Sequence, residues 1–499
     1  MLVIISDLHL TDGSAGATIS PGAFRVFARR LEELAEAASW RTDGSYRPLE
    51  RIDLVLLGDI LDVIRSARWR SPPHVRPWDP PHTPEFLDRA TRITGGILKH
   101  NDEALDLLRG LESEGRLSVP PATRAGSPDP HAQRQPVPLK THYMVGNHDW
   151  FYHLPGSEFD SLRQMVVRGL GLANRHDQPF PHDIGESEEL LRTMRRHKVT
   201  ARHGDLFDPF NFEGDRDTGS VGDVIVVELL GRFAAEVESQ LADELPASTV
   251  FGLREIDNVR PLLLIPVWID GLLERTCSLP SMRKQIKRVW DRIVDEFLAI
   301  DFVRRRDSFG PFDLVDGLEQ TLKFTKRLSI GWASSIVSWL NGLRGSSHSS
   351  YYDHALTEQD FRNRRSRHIV YGHTHLAETV PLDASYAEGY VLNQLYFNSG
   401  TWRRVHHQTR LAPAEHEFIA RDEMSYLVFF QGDERKGRFY ETWSGTLGFS
   451  PSETTVHRID PVRSSHATGQ PISAPSLHQH APHFTAPSVK PGIVPTRRV

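Results

Sequence analysis

The chain has 499 residues, too many for one compact core, so an elaborated domain or two domains are expected. Hydrophobic residues at 39% and charged residues at 25% are ordinary for a soluble globular protein. Lys+Arg 59 against Asp+Glu 65 gives a net charge of −6, which argues against a dedicated nucleic-acid binder while leaving local basic patches open.

Cys277 is the only cysteine, so no disulfide forms within the chain and a reducing cytosol fits. The start, Met1 to Asp7, lacks a basic n-region and a cleavage site, and no signal peptide is expected. The longest fully apolar run, Leu262 to Ile269, is too short to span a bilayer. A cytoplasmic protein is the expectation.

The first element is a continuous apolar strand, Leu2-Val3-Ile4-Ile5, running into Ser6-Asp7-Leu8-His9. From Phe24 to Ala38, apolar residues at 24, 27, 31, 34 and 38 mark an amphipathic helix. Ile52 to Leu57 is a second buried strand, ending at Gly58-Asp59. The order strand–helix–strand implies parallel pairing in a layered α/β core. Six prolines between Arg70 and Pro84 predict an ordered loop or extended excursion. Glu85 to Arg116 reads as helical, and Ser118 to Pro138, rich in Pro, Ala, Ser and Gln, as a mobile surface loop. Leu139 to Val145 is a third strand, ending at Gly146-Asn147-His148-Asp149; Val199 to Arg202 is a fourth, ending at His203-Gly204-Asp205.

From about Asp215 to Asn363 the texture becomes helical. Met282, Ile286, Val289, Ile293, Phe297 and Ile300 keep helical spacing, as do Val227, Leu230, Ala234, Val237 and Leu241. This stretch reads as an insertion between core strands. A fifth strand, His368 to Tyr371, then meets Gly372-His373-Thr374-His375. Further strands are expected at Tyr390 to Phe397, Ser425 to Phe430 and Gly437 to Thr442. The expected organisation is a core in two parts, 1–215 and 364–460, a helical insertion at 216–363 and a disordered tail at 461–499.

Each of five strand ends carries polar groups that bind metals: Asp7 and His9, Asp59, Asn147 and His148, His203, and His373 and His375. In an open α/β sheet, the carboxyl ends of parallel strands form the ligand crevice. A carboxylate can bridge two cations, and Asp59, in the middle of the set, is the candidate bridge. Mixed nitrogen and oxygen donors suit Mn²⁺, Fe²⁺ or Zn²⁺ better than Ca²⁺ or Mg²⁺. Two such ions about 4 Å apart can activate a hydroxide and clamp a phosphoryl oxygen.

Asp7-x-His9, Gly58-Asp59, Gly146-Asn147-His148-Asp149, His203 and Gly372-His373-x-His375 resemble the ordered signature of calcineurin-like metallophosphoesterases. Asn398-Ser399-Gly400-Thr401-Trp402 resembles a further segment of that family. The resemblance covers roughly Met1 to Asp215 and Asn363 to Thr442. It implies an α/β fold, the four-layer αββα sandwich, here with a large helical insertion as lid. It also implies two divalent metal ions, Mn²⁺ first, with Fe or Zn as alternatives. Asp7, His9, Asp59 and His375 would hold one ion; Asp59, Asn147, His203 and His373 would hold the other. His148 would face the leaving group or a phosphoryl oxygen, as general acid or electrostatic stabiliser. Within the family, Ser6-Asp7-Leu8-His9-Leu10 and His203-Gly204-Asp205 are similar to the UDP-2,3-diacylglucosamine hydrolase branch. The chain departs from that branch at His148, where the branch commonly has arginine, and in its greater length.

The function implied is a phosphohydrolase cleaving a phosphate ester or pyrophosphate through metal-activated hydroxide. Its substrate would be a phosphorylated small molecule or a lipid-linked nucleotide. A metal-dependent nuclease and a non-catalytic scaffold are the alternatives. Asp149, Asp205 and Asp208 are expected to orient ligating imidazoles, and Asp62 to do the same or to cap a helix. Arg403 and Arg404 would meet substrate phosphate or form a solvated pair. The uncharged stretch Ser329 to Leu343, with Trp332 and Trp339, reads as buried helical core or as a peripheral membrane contact downstream of Arg304-Arg305-Arg306. The tail histidines, His466, His478, His480 and His483, read as low-complexity composition.

Overall fold

Strand β1 (Leu2–Ile5) is apolar at every position because both its faces are buried. Leu2 and Ile4 join one apolar cluster, with Val55, Leu57 and Met144. Val3 and Ile5 point the other way and join a second cluster, with Leu54 and Leu56. The following strands are β2 (Ile52–Leu57), β3 (Leu139–Met144), β4 (Val199–Ala201), β5 (Val259–Arg260), β6 (His368–Tyr371), β7 (Ala377–Ala387), β8 (Tyr390–Ser399), β9 (Arg404–Ala412), β10 (Glu415–Phe429) and β11 (Tyr440–Leu447). The computed structural model describes residues 1–447 except 114, 242, 261–263, 307–321, 323–350, 388–389 and 413–414.

The chain is mixed α/β. A large sheet runs in the order β3-β2-β1-β10-β9-β5, with β11 on the other edge of β10. Strands β1, β2 and β3 are parallel, and β10 enters antiparallel to β1, with Val3 opposite Val428. A smaller sheet runs β4-β6-β8-β7, the first three parallel. The two sheets share the cluster of Leu2, Ile4 and Val55 with Val199, Val370 and Phe397, so they face each other across it. Helices α1 (Pro21–Ala38), α2 (Pro84–His100), α3 (Asp102–Ser113) and α4 (Asp160–Leu170) cover the other face of the large sheet, and α5 (Glu188–Arg196) adds Leu190 and Met194 to the inter-sheet cluster. Ile369, Tyr371 and Tyr396, on the outer face of the small sheet, pack with Tyr351, Ala355 and Phe361.

Helix α1 begins three residues before the apolar periodicity. The Ser20 hydroxyl accepts from the Gly22 N–H and Pro21 opens the first turn. The stretch read as one helix from Glu85 breaks at Asn101, whose side-chain amide donates to the Thr11 and Ile97 carbonyls, both at 2.8 Å. That break ties the helical layer to the loop after β1. Ser118–Val119 and Gln135–Pro136 form a small antiparallel ribbon where a mobile loop was expected. Leu117, Val119 and Val137 anchor it in the main cluster.

Strands β7 and β9 carry no clean apolar alternation and were not foreseen. β7 holds Pro381 beside a register shift, which an edge strand tolerates because its outer N–H groups need no partner.

The segment read as a helical insertion contains α6 (Gly231–Leu241), α7 (Ala247–Leu253), α8 (Ile265–Thr276) and α9 (Pro280–Leu298), preceded by a π-helical turn at Ile225–Leu230. Phe233, Val237, Leu253, Trp268, Trp290 and Phe297 build an apolar cluster of its own. The segment also holds β5, which pairs with β9 and so extends the large sheet. The stretch Ser329 to Leu343 and the tail 461–499 lie outside the described residues. No helix among the described residues is long and apolar enough to cross a membrane.

Candidate metal centre

Parallel pairing sets the ends of β1, β2 and β3 side by side, and the ends of β4 and β6 side by side. The two sheets bring these ends to one point. Asp7, His9, Asp59, Asn147, His203 and His375 are buried there; His148 and His373 are partly exposed.

The backbone turns abruptly at this edge. Among the described residues nine non-glycine residues have positive φ, and five of them are Asp7, His9, Asp59, His373 and His375. Such conformations cost of order 1–3 kcal/mol each and persist where the surroundings fix them, typically at functional sites. Glycines make room for the turns. A Cβ on Gly146 would fall 2.8 Å from His203 Nε2 and against Asp59 Oδ1, and one on Gly372 would fall 2.7 Å from Asp7 Oδ2.

Donor atoms converge in two groups. In the first, His9 Nε2 and His375 Nε2 are 3.0 Å apart. Asp7 Oδ1 lies 3.3 Å from His375 Nε2 and 3.8 Å from His9 Nε2. Asp59 Oδ2 lies 3.6 Å from His9 Nε2. In the second, Asn147 Oδ1 lies 3.2 Å from His203 Nε2 and 3.0 Å from His373 Nδ1. Asp59 Oδ2 lies 3.3 Å from His203 Nε2. One oxygen of Asp59 thus faces both groups.

Outer contacts set the ring orientations. His9 Nδ1 donates to Asp62 at 2.8 Å, His203 Nδ1 to the Leu57 carbonyl at 2.9 Å, and His373 Nε2 to Asp208 at 3.0 Å. Each leaves the other ring nitrogen turned inward as a lone pair. The Asn147 amide donates to Asn211 Oδ1 at 3.2 Å, which turns its own oxygen inward. Among the described residues Asp7 Oδ1 is buried without a hydrogen-bond partner. A buried carboxylate oxygen with no hydrogen-bond donor, beside the inward lone pair of His9, is what a cation would satisfy. The residues present therefore fit two divalent ions.

The electrostatics agree with this. Burial pushes the Asp59 carboxyl up, but the His203 and His148 charges outweigh it and hold it well below the usual range. Burial likewise raises Asp7, and the His203 charge with the nearby His375 and His9 imidazoles brings it far down. His148 is the reverse case. Burial lowers it, but Asp62 and Asp59 lift it to about 9. Its Nδ1 donates to Asp62 Oδ1 at 2.7 Å, and its backbone N–H donates to Asp59 Oδ1 at 2.8 Å. It stands edge-on to His9, ring centres 4.7 Å apart.

Several expected partners have other tasks. Asp62 holds two imidazoles, His9 and His148, and also accepts from the Arg65 N–H at 3.0 Å. Asp208 orients His373 as expected. Asp149 orients no imidazole. It accepts from the Ile60 and Gly146 N–H groups and from the Tyr143 hydroxyl, riveting the ends of β2 and β3. Asp205 pairs with Arg216. Arg403 is no solvated residue: it is buried against Asp257 and Asn258, while Arg404 pairs with Asp422 at 2.8 Å.

The residue that sequence reasoning missed is Arg260, on β5. Its Nη2 lies 3.0 Å from His375 Nδ1, and its charge together with burial pushes His375 well below its ordinary value. Beside it, Asp257 accepts from Arg65 Nε at 2.7 Å and faces Arg403 Nη2 at 3.4 Å. The one available signal was a break in helical periodicity at Asn258-Val259-Arg260. No protein-family model matches the chain, and no curated protein matches it.

Proposed function

We propose that the chain is a dinuclear-metal phosphohydrolase of the calcineurin-like kind, cleaving a phosphate ester or pyrophosphate bond. The observation that carries this reading is the position of Asp59 Oδ2, within 3.6 Å of His9 Nε2 and 3.3 Å of His203 Nε2, between two donor groups of different composition. Two facing sheets, with helices over the outer face of the large one and Tyr351, Ala355 and Phe361 over the outer face of the small one, support the αββα sandwich that the resemblance implies.

Asp7, His9, Asp59 and His375 would hold one ion, and Asp59, Asn147, His203 and His373 the other. Nitrogen and oxygen donors together favour Mn²⁺, with Fe or Zn as alternatives. Bound ions supply Lewis acidity toward a phosphoryl oxygen and lower the pKa of water. The chain's own contribution is positional. Asp62 holds His148 with its Nδ1 engaged, which leaves Nε2–H as the group offered to substrate. As an imidazolium, His148 stabilises charge on phosphoryl oxygens and gives its proton to the departing oxygen. Arg260 adds a planar cation at the same edge, suited to a phosphoryl oxygen. A phosphorylated small molecule or a lipid-linked nucleotide is the proposed substrate class.

The test is turnover of bis-p-nitrophenyl phosphate by Mn²⁺-loaded protein, beside Asp59→Asn. Wild type is expected to cleave it, and Asp59→Asn to lose nearly all activity. Wild-type protein that holds Mn²⁺ yet cleaves neither this ester nor a panel of nucleotides and sugar nucleotides would overturn the reading.

A further inference from the structure

We infer that His153, His182 and Glu186 form a separate binding site for a single transition-metal ion of the Zn²⁺ class. They share no residue with the two groups around Asp59. His153 follows the short helical turn Trp150–Tyr152, beyond the loop that carries Asn147 and His148. Glu186 ends the turn at Ile184–Glu186, and His182 lies four positions earlier, just before that turn.

The spacing of the donors supports this assignment. His153 Nε2 and His182 Nδ1 are 3.3 Å apart, with the rings perpendicular and their centres at 4.8 Å. Glu186 Oε1 is 2.9 Å from His182 Nδ1, and Oε2 is 3.7 Å from His153 Nε2. A tetrahedral ion with bonds of about 2.0–2.1 Å places neighbouring donors roughly 3.3–3.4 Å apart. The two ring nitrogens and the Glu186 carboxylate, one oxygen toward each ring, lie near the spacing of one face of such a tetrahedron.

The orientation of His153 is fixed from behind. Its Nδ1 donates to Asp217 Oδ1 at 2.7 Å, so Nε2 is aimed at His182 and Glu186. A carboxylate behind the imidazole is the usual arrangement behind a ligating histidine. A cation entering the site would satisfy both nitrogens and the Glu186 carboxylate together. Glu186 is held in place by accepting from the His182 N–H at 2.9 Å. The site is half-exposed, which leaves the fourth position to water.

An ion here would brace the catalytic loop. The Phe180 N–H donates to the Tyr152 carbonyl and the Val145 N–H to the Pro181 carbonyl, so the ion would close a contact the backbone already begins. Through Asp217 it would also hold the chain leading into the helical segment.

The experiment is zinc content by elemental analysis on full-length protein, after saturation with Zn²⁺ and gel filtration. Wild type is compared with His182→Gln and with His153→Ala/His182→Ala. Wild type is expected to retain one zinc more than either variant. With Co²⁺ as probe, the variants are expected to lose one set of tetrahedral visible bands while keeping the signal of the other centre. Far-UV circular dichroism shows which variants fold, and His182→Gln alters only a partly exposed side chain. Equal zinc content in wild type and folded His182→Gln would overturn the assignment, whatever becomes of the phosphohydrolase reading.

Discussion

Asp59 and His148 are joined by one hydrogen bond, from the His148 N–H to Asp59 Oδ1 at 2.8 Å, and yet have different tasks. Asp59 faces both donor groups, so in the proposed centre Asp59→Asn removes a charge that each ion needs. That variant is expected to lose at least one ion. In the same proposal His148 is offered to substrate. His148→Asn is expected to keep both ions of the Asp59 centre and lower turnover by ~10²–10⁴-fold, the range for a positioned acid–base group. The loss should shrink for a nitrophenolate leaving group, which departs without a proton. Metal analysis beside kinetics on two leaving groups decides the matter: a His148→Asn protein stripped of metal would make His148 a ligand. The convergence of the proposed ligand residues was legible in sequence because each follows an apolar strand, and parallel strands deliver their ends to one edge. The tasks of Asp149 and Asp205 were not, because their partners, Tyr143 and Arg216, are set by tertiary packing.

Among the elements, β6 carries a histidine whose cost shows only in acid. His368 is buried between Phe397, Phe429 and Tyr440, and neither ring nitrogen has a hydrogen-bond partner among the described residues. Burial, helped by Arg367, lowers it from 6.5 to about 3. The folded state therefore refuses a proton that the unfolded chain accepts. Its contribution is intact above pH 6.5 and is lost at about 1.4 kcal/mol per pH unit as pH falls toward the folded value. His368→Phe should fit the same aromatic surroundings and flatten the acid limb of a melting-temperature profile. An unchanged acid limb would show that His368 is not buried neutral. The turn after β3 is equally specific. Gly146→Ala should cost metal affinity rather than overall fold, because the new methyl meets His203 and Asp59, and metal titration with circular dichroism separates the two. The apolar strands were read correctly in type because both their faces are buried. Strands β7 and β9 were hidden because their pairing, not their composition, makes them strands.

Across the whole molecule, the helical segment reaches into the centre as well as lying beside it. Asp257 and Arg260, on and beside β5, meet Arg65, Arg403 and His375 from elsewhere in the fold. Asp257→Ala would take the nearest carboxylate from two buried guanidinium groups, Arg65 and Arg403. Breaking a buried pair in this way costs ~3–5 kcal/mol. Urea unfolding is expected to show a loss of that order with both ions of the Asp59 centre still bound; a loss below about 1 kcal/mol would mean that solvent or other residues replace Asp257. Helical periodicity showed the segment's own apolar cluster and breaks at Asn258-Val259-Arg260, but a two-residue strand is too short to show the alternation that would have marked this junction. The most direct measurement of the central assignment is anomalous diffraction from a Mn²⁺-loaded crystal. Two peaks are expected on either side of Asp59 Oδ2, one against His9 and His375 and one against His203 and His373. A single peak, or two that do not share Asp59, would contradict a dinuclear centre.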